Sequence, residues 1–251
     1  MGIVAILAKN IRWRFHNSFT IVVTILQPIL WLVLYSTVAG KTMEGSGIEN
    51  YTAFIFPGLI VLICFSTCSS SGMMNYMMKS EGSFYRILIA PIKRSSIILG
   101  QILESVCCTF LEVGVMGIVG LFFSVRLFPS IGSVFVVILI VLFTSFFVAS
   151  IAYGVSLILP NEMIYETVMS AIVLPIFFLS SALFPIEELT GMLRIVVYLN
   201  PFTYVINSLR STMLYQTGYQ QEIFYSVILL FILSLFAFLF ANRQLKRETN
   251  L

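Results

Sequence analysis

Six stretches of this chain, about 18–40, 52–75, 97–125, 132–159, 167–185 and 222–241, are long and apolar enough to cross a lipid bilayer. A helix rising about 1.5 Å per residue needs roughly 20 apolar residues to span the hydrocarbon layer. Lipid offers no hydrogen bonds, so every backbone N–H and C=O in that layer must be satisfied within the protein, and each stretch folds as a helix. Composition agrees. Of 251 residues, 59% are hydrophobic and 10% charged, whereas a soluble domain carries about 25% charged residues. The expected fold is an all-α integral membrane protein, one domain over 1–251 with six transmembrane helices. Pro28 and Pro175 fall inside spans and bend them, which neighbouring membrane helices accommodate.

Short loops rich in Lys and Arg stay on the cytoplasmic side. With six spans, both termini and the loops at 76–96 and 160–166 share one face. That face holds Lys9, Arg12, Arg14, Lys79, Arg86, Lys93, Arg94, Arg243, Lys246 and Arg247, ten of the fourteen basic residues. The other face holds the remaining four, Lys41, Arg126, Arg194 and Arg210. Both termini are therefore expected in the cytoplasm, with the chain multi-pass in the cell membrane.

Absences narrow the chemistry. All eleven acids are Glu and there is no Asp, which excludes aspartyl proteases and aspartyl-phosphate pumps. The one histidine, His16, cannot build a zinc site of the H-E-x-x-H kind. Gly40-Lys41-Thr42 resembles the end of a phosphate-binding loop, but Tyr35 stands where the first Gly belongs. Cys64, Cys68, Cys107 and Cys108 lie in apolar runs and act as small hydrophobes. The chain is expected to be no enzyme, to hold no metal or cofactor, and to bind no nucleic acid.

Residues 1–17 are expected to form an interfacial helix. Ile3, Leu7, Ile11 and Phe15 recur every four residues, while Lys9, Arg12 and His16 point elsewhere. Such a helix lies flat at headgroup level.

Two acids fall in the third span. Glu112, near its middle, is a candidate pathway or subunit-interface residue; the alternative is a neutral carboxyl hydrogen-bonded to a neighbouring helix. Glu104, nearer the cytoplasm, reaches water in this reading. Facing them, "STCSSSG" at 66–72 puts hydroxyls, Ser69 and Ser70 among them, along the second span. These serve helix packing or line a path, as do Gly114, Gly117 and Gly120 on the third span.

Between spans two and three, the spacing predicts a short helix at 79–91. Ser80 caps it, Glu81 suits its positive N-terminal end, and Pro91 limits it. Phe84, Ile87 and Leu88 share one face, which suits either a groove on another protein or the lipid surface. Between spans five and six, residues 187–214 hold two short amphipathic segments, with Asn200 and Pro201 as N-cap and first helical residue of the second. They either half-penetrate the bilayer or rest on it.

The order Glu81-Gly82, Arg86-Ile87-Leu88-Ile89-Ala90-Pro91, Gly100-Gln101 resembles the E-G…L-x-x-P…G pattern of ABC-2 type transporter permeases. "SSALFPIEEL" followed by "YLNPFTYVINSLR" is similar to that family's S-G-x-x-F-P and N-P-x-x-Y…R elements. The resemblance runs over essentially the whole chain and implies a type V ABC exporter-like fold. It implies that residues 79–91, with Glu81, Gly82, Phe84, Tyr85, Arg86, Ile87, Leu88 and Pro91, are a coupling helix seated in a separate ATPase subunit. It implies that 187–214, with Pro185, Glu187, Glu188, Asn200, Pro201, Tyr204 and Arg210, form re-entrant helices at the outer exit. The implied assembly has two ATPase copies, which hold the ATP and magnesium, and a second permease subunit as homodimer or close heterodimer. The expected cargo is hydrophobic or amphipathic: a drug, antibiotic, peptide or lipid-like molecule. A polysaccharide or lipid-linked glycan exporter of the same family is the alternative. An ion-coupled carrier using Glu112, and a membrane enzyme, are the readings from other classes.

Overall fold

The computed structural model describes residues 2–16, 18–42, 50–90, 92–123, 130–186, 190–214 and 220–248. Among them every regular element longer than a single turn is an α-helix. In order these are α1 (Gly2–His16), α2 (Ser18–Thr42), α3 (Tyr51–Ser80), α4 (Ser83–Ile89) and α5 (Arg94–Phe122). They continue with α6 (Ile131–Ile158), α7 (Glu162–Phe178), α8 (Gly191–Leu199), α9 (Pro201–Leu214) and α10 (Gln220–Glu248).

Four of the helices, α3, α5, α6 and α10, are long and apolar enough to cross a membrane. The 30 residues of α3 measure about 45 Å, more than the roughly 30 Å hydrocarbon layer. α2 contributes a shorter apolar stretch, Ile25–Tyr35. α7 has 17 residues, about 25 Å. It begins at Glu162 and ends at Phe178, so the expected span at 167–185 sits five residues early and stops at a turn over Leu179–Ala182. Asn161 starts it by accepting a 2.9 Å hydrogen bond from the Ile164 N–H.

α3 is the central post. It packs against α2, α5, α6, α7 and α9, and the most extensive pairing in the molecule is α6 on α10. Most of α3 is buried, from Tyr51 to Met78. By contrast, α10 turns Phe224, Phe231, Leu235, Phe236 and Leu239 outward. That one-sided exposure is what a helix on the lipid-facing wall of a bundle shows.

The two ends of the bundle are distinct. The C-terminal ends of α3 and α10 meet where Lys79 Nζ lies 2.6 Å from Glu248 Oε1, and α4 follows directly from that end. The opposite end carries the start of α3, the start of α10, and α8 with α9. There Arg210 on α9 bonds to Phe54 on α3.

α1 lies lengthwise along the first turns of α5, running in the same direction. Ile6 touches Gly100, Asn10 bonds to Gln101, and Arg14 bonds to Glu104. Gly100 allows that approach, since a Cβ there would stand 2.8 Å from Ile6. The stripe that buries is Ile6, Asn10 and Arg14. The expected apolar stripe of Ile3, Leu7, Ile11 and Phe15 stays partly or largely exposed.

Candidate functional site

Lipid tails are as apolar as a leucine core, so membrane helices are held together by close packing and by polar contacts between them. The polar contacts therefore mark what the fold positions deliberately. Three regions bear on function.

The first joins α1, α3 and α5. Arg14 Nη1 lies 3.1 Å from Glu104 Oε1, and Nη2 donates to Ser70 Oγ at 2.6 Å. Ser71 Oγ donates to the other carboxylate oxygen of Glu104 at 2.8 Å, and the Cys108 thiol donates to Oε1 at 3.4 Å. One turn nearer the α4 end, Asn10 Nδ2 donates to Gln101 Oε1 at 2.8 Å. Two turns further into α5, Thr67 donates to the buried Glu112 carboxylate. Glu104 does not reach water: it is fully buried. A guanidinium and a hydroxyl stand there in place of the water its side chain would otherwise bind. The sequence reading missed Arg14, Asn10 and Gln101. The available signal was Glu104 itself, an acidic residue inside an apolar run, which calls for a polar or charged partner from another helix.

Ser69 sits beside this cluster. Its carbonyl accepts a 2.8 Å hydrogen bond from Tyr165 Oη, the buried anchor of α7, while its own Oγ is buried without a partner among the described residues. Glu112 points into the protein at Thr67, away from the exposed Leu111 and Ile118 on the same helix.

The second place is α4. α3 continues through Ser80, so Ser80 ends that helix instead of capping the next. Glu81 and Gly82 form the turn, and the N-cap of α4 is Gly82 at φ +71°. A residue with a Cβ pays a steric penalty in that left-handed region. The glycine thus permits a sharp break and a seven-residue helix, shorter than the expected 79–91. Pro91 lies outside the described residues. The face with three- and four-residue spacing turns inward: Phe84 is 2% exposed, and Ile87 and Leu88 are half-buried against the core. Lys79 Nζ stands 5.3 Å from the Phe84 ring centroid. What faces outward is Tyr85 at 58% exposure, Arg86, and Ile89 at 85%. The expected ridge of Phe84, Ile87 and Leu88 is thus the helix's root and not its free surface. The physical reason is that the most apolar face of so short a helix is needed to hold it onto the bundle. Alongside, Lys9 leans on Met78 with Nζ 3.8 Å from the sulfur. Burial there lowers the pKa of its ammonium, with Glu81 opposing.

The third place is the end formed by α8, α9 and the start of α10. Asn200 stitches three segments together. Its Nδ2 donates to Ile176 O and Leu179 O at the end of α7, and its Oδ1 accepts from the Phe202 N–H in the first turn of α9. Pro201 opens α9, and Tyr204 Oη donates to Tyr198 O across to α8 at 3.0 Å. Arg210 is buried, with Nε on Phe54 O at 3.1 Å, Nη1 on Asn207 Oδ1 at 3.0 Å and Nη2 on Ser181 O at 2.5 Å. Its guanidinium also covers the Phe54 ring at 3.7 Å. Between these helices lies a cavity of about 770 Å³ whose wall includes Pro185, Tyr204 and Arg210. Glu187 and Glu188 lie outside the described residues.

The sequence model of the family described as ABC-2 type transporter matches residues 1–214. A protein of Cyanophora paradoxa named as transport permease ycf38 is 29% identical over 249 residues, covering 92% of this chain and 84% of its own length. Its namesake in Porphyra purpurea is 29% identical over 201 residues, 79% of this chain and 68% of that protein. Nodulation protein J of Neorhizobium galegae is 22% identical over 214 residues, covering 84% and 80%.

Proposed function

This chain belongs to the ABC-2 type transporter family, and from that premise we propose that it is the permease half of an ATP-driven exporter. As a member it is a multi-pass membrane permease of an ABC transporter, and the family works with an ABC ATPase subunit. The finer reading is as follows. Six helices cross the cell membrane: α2, α3, α5, α6, α7 and α10. Both termini and α4 face the cytoplasm, as the basic residues argue, and α8 and α9 form re-entrant helices at the outer exit. Two permease subunits, identical or closely related, enclose the path. Two ATPase subunits, carrying the ATP and magnesium, drive it. The cargo is hydrophobic or amphipathic, moved outward.

The observation that carries this reading is α4. It is a short helix set off by a left-handed glycine, rooted by Phe84, with Tyr85, Arg86 and Ile89 left uncovered. Isolated apolar side chains at the tip of a turn are shaped for a groove in another protein. A rigid root is also what lets a push on the tip reach α3 and α5, the two helices α4 connects. The test is co-expression with an ABC ATPase subunit from the same genome, followed by co-purification. Ile89→Glu with Tyr85→Ala should abolish capture of the ATPase and ATP-dependent export, while membrane insertion persists. Undiminished capture by this double variant would refute the role of α4.

A further inference from the structure

The cavity at the α8–α9 end has a particular chemistry. At about 770 Å³ it falls in the range of sites that enclose a small organic molecule. Its wall carries four aromatic rings, those of Phe54, Tyr198, Tyr204 and Tyr225. Among the described lining residues it carries one cation and one carboxylate, Arg210 and Glu222. Arg210, 7% exposed, is clamped to backbone carbonyls of α3 and of the turn after α7, so its charge is fixed in the wall. Glu222, exposed in the first turn of α10, lines the same cavity. Tyr225 follows one turn later, and the same face of α10 continues as Ile228, Ile232 and Leu235, all exposed. That stripe lies on the lipid-facing wall.

We propose that this cavity is a binding site for the headgroup of a zwitterionic amphiphile, a phospholipid bearing an ammonium and a phosphate. An ammonium is attracted to the faces of tyrosine rings and to a carboxylate, and the wall offers both. The anionic group is drawn to the positive potential of Arg210, whose guanidinium stays charged at any working pH. Among the described lining residues the two charges, those of Arg210 and Glu222, are of opposite sign, which disfavours a headgroup carrying one sign only. A purely anionic headgroup leaves Glu222 repelled, and a purely cationic one leaves Arg210 repelled. The acyl chains then run down the Ile228–Ile232 stripe of α10. A water-soluble zwitterion would gain nothing from that stripe, which argues for a lipid. Only the leaflet depends on the orientation proposed above; the binding does not.

The experiment uses the full chain purified in detergent without any ATPase, so its outcome is separate from that of the α4 test. Thermal unfolding is followed while short-chain phosphatidylethanolamine or phosphatidylglycerol is titrated in. The expected result is stabilisation by phosphatidylethanolamine at concentrations about tenfold lower than by phosphatidylglycerol. Glu222→Gln, and separately Tyr225→Leu, should remove that preference. Equal responses to the two lipids, or a preference that survives Glu222→Gln, would overturn the proposal. So would equal binding of free phosphoethanolamine, because the chains would then contribute nothing.

Discussion

Arg14 and Glu104 stand 90 residues apart in sequence and 3.1 Å apart in space, both buried. Their contact joins the first helix of the chain to α5, with Ser70 and Ser71 of α3 completing the cluster. Removing one partner of a buried ion pair leaves an uncompensated charge, which costs about 3 kcal/mol or more. Arg14→Leu should therefore lower thermal stability in detergent sharply. The double variant Arg14→Leu with Glu104→Leu should recover most of the loss, as buried pairs replaced by apolar residues often do. Additive losses in that double-mutant cycle would show that the two side chains do not act as a pair.

The two faces of α4 should separate experimentally. Phe84→Ala opens a cavity in the root and should cost about 3 kcal/mol, read as a lower melting temperature. Ile89→Ala removes a side chain that touches little and should change stability by no more than about 0.5 kcal/mol. Its effect should appear only when the ATPase is present, as weaker association.

Gly72 meets Tyr165 so closely that a Cβ there would lie 2.1 Å from the tyrosine Oη, whose hydrogen bond to Ser69 O holds α7 against α3. Gly72→Ala should displace that ring at a cost of about 1–3 kcal/mol. Because α7 has few other buried residues, only Met169 and Phe177, its amides should exchange hydrogen faster in the variant. Unchanged exchange over Glu162–Phe178 would contradict this anchoring.

Asn200 acts through donors and acceptor at once, so its conservative replacement should fail. Asn200→Ala should cost about 1–2 kcal/mol through the lost cap of α9. Asn200→Asp keeps an acceptor for the Phe202 N–H but turns oxygen toward Ile176 O and Leu179 O. It should be at least as damaging as alanine in a thermal melt. If the aspartate variant matches the parent, the bonds to the end of α7 contribute nothing.

The long apolar helices were legible because lipid imposes one rule on every residue within it, and apolar runs of sufficient length satisfy that rule in one way. Both ends of α2, α5 and α6 and the starts of α3 and α10 lie within three residues of the apolar stretches, while α3 and α10 run on five and seven residues further, into polar sequence. The destination of an amphipathic face was not legible. In α4 the spacing of Phe84, Ile87 and Leu88 marks an apolar side truly, but a periodic stripe does not say whether it meets the chain's own bundle or another molecule. α1 shows the same gap: Arg14 reads as one more headgroup-facing cation until Glu104 is brought beside it by α5. α7 was placed late because Glu162 and Glu166 keep its first turns out of an apolar window and Leu179, Ala182, Leu183 and Phe184 extend that window past Phe178, while Asn200 closes the helix from outside by taking up its last carbonyls.

The Arg14–Glu104 contact also bears on how the protein is assembled during translation. At roughly 5–20 residues per second, the carboxylate leaves the ribosome about 5–18 s after the guanidinium it will join. For that interval α1 lacks its contacts with α5, and Arg14 has the hydroxyls of Ser70 and Ser71 but no carboxylate to meet. α1 is thus locked in only after α5 has been threaded, so a chain halted before α5 should leave α1 loose and open to proteases.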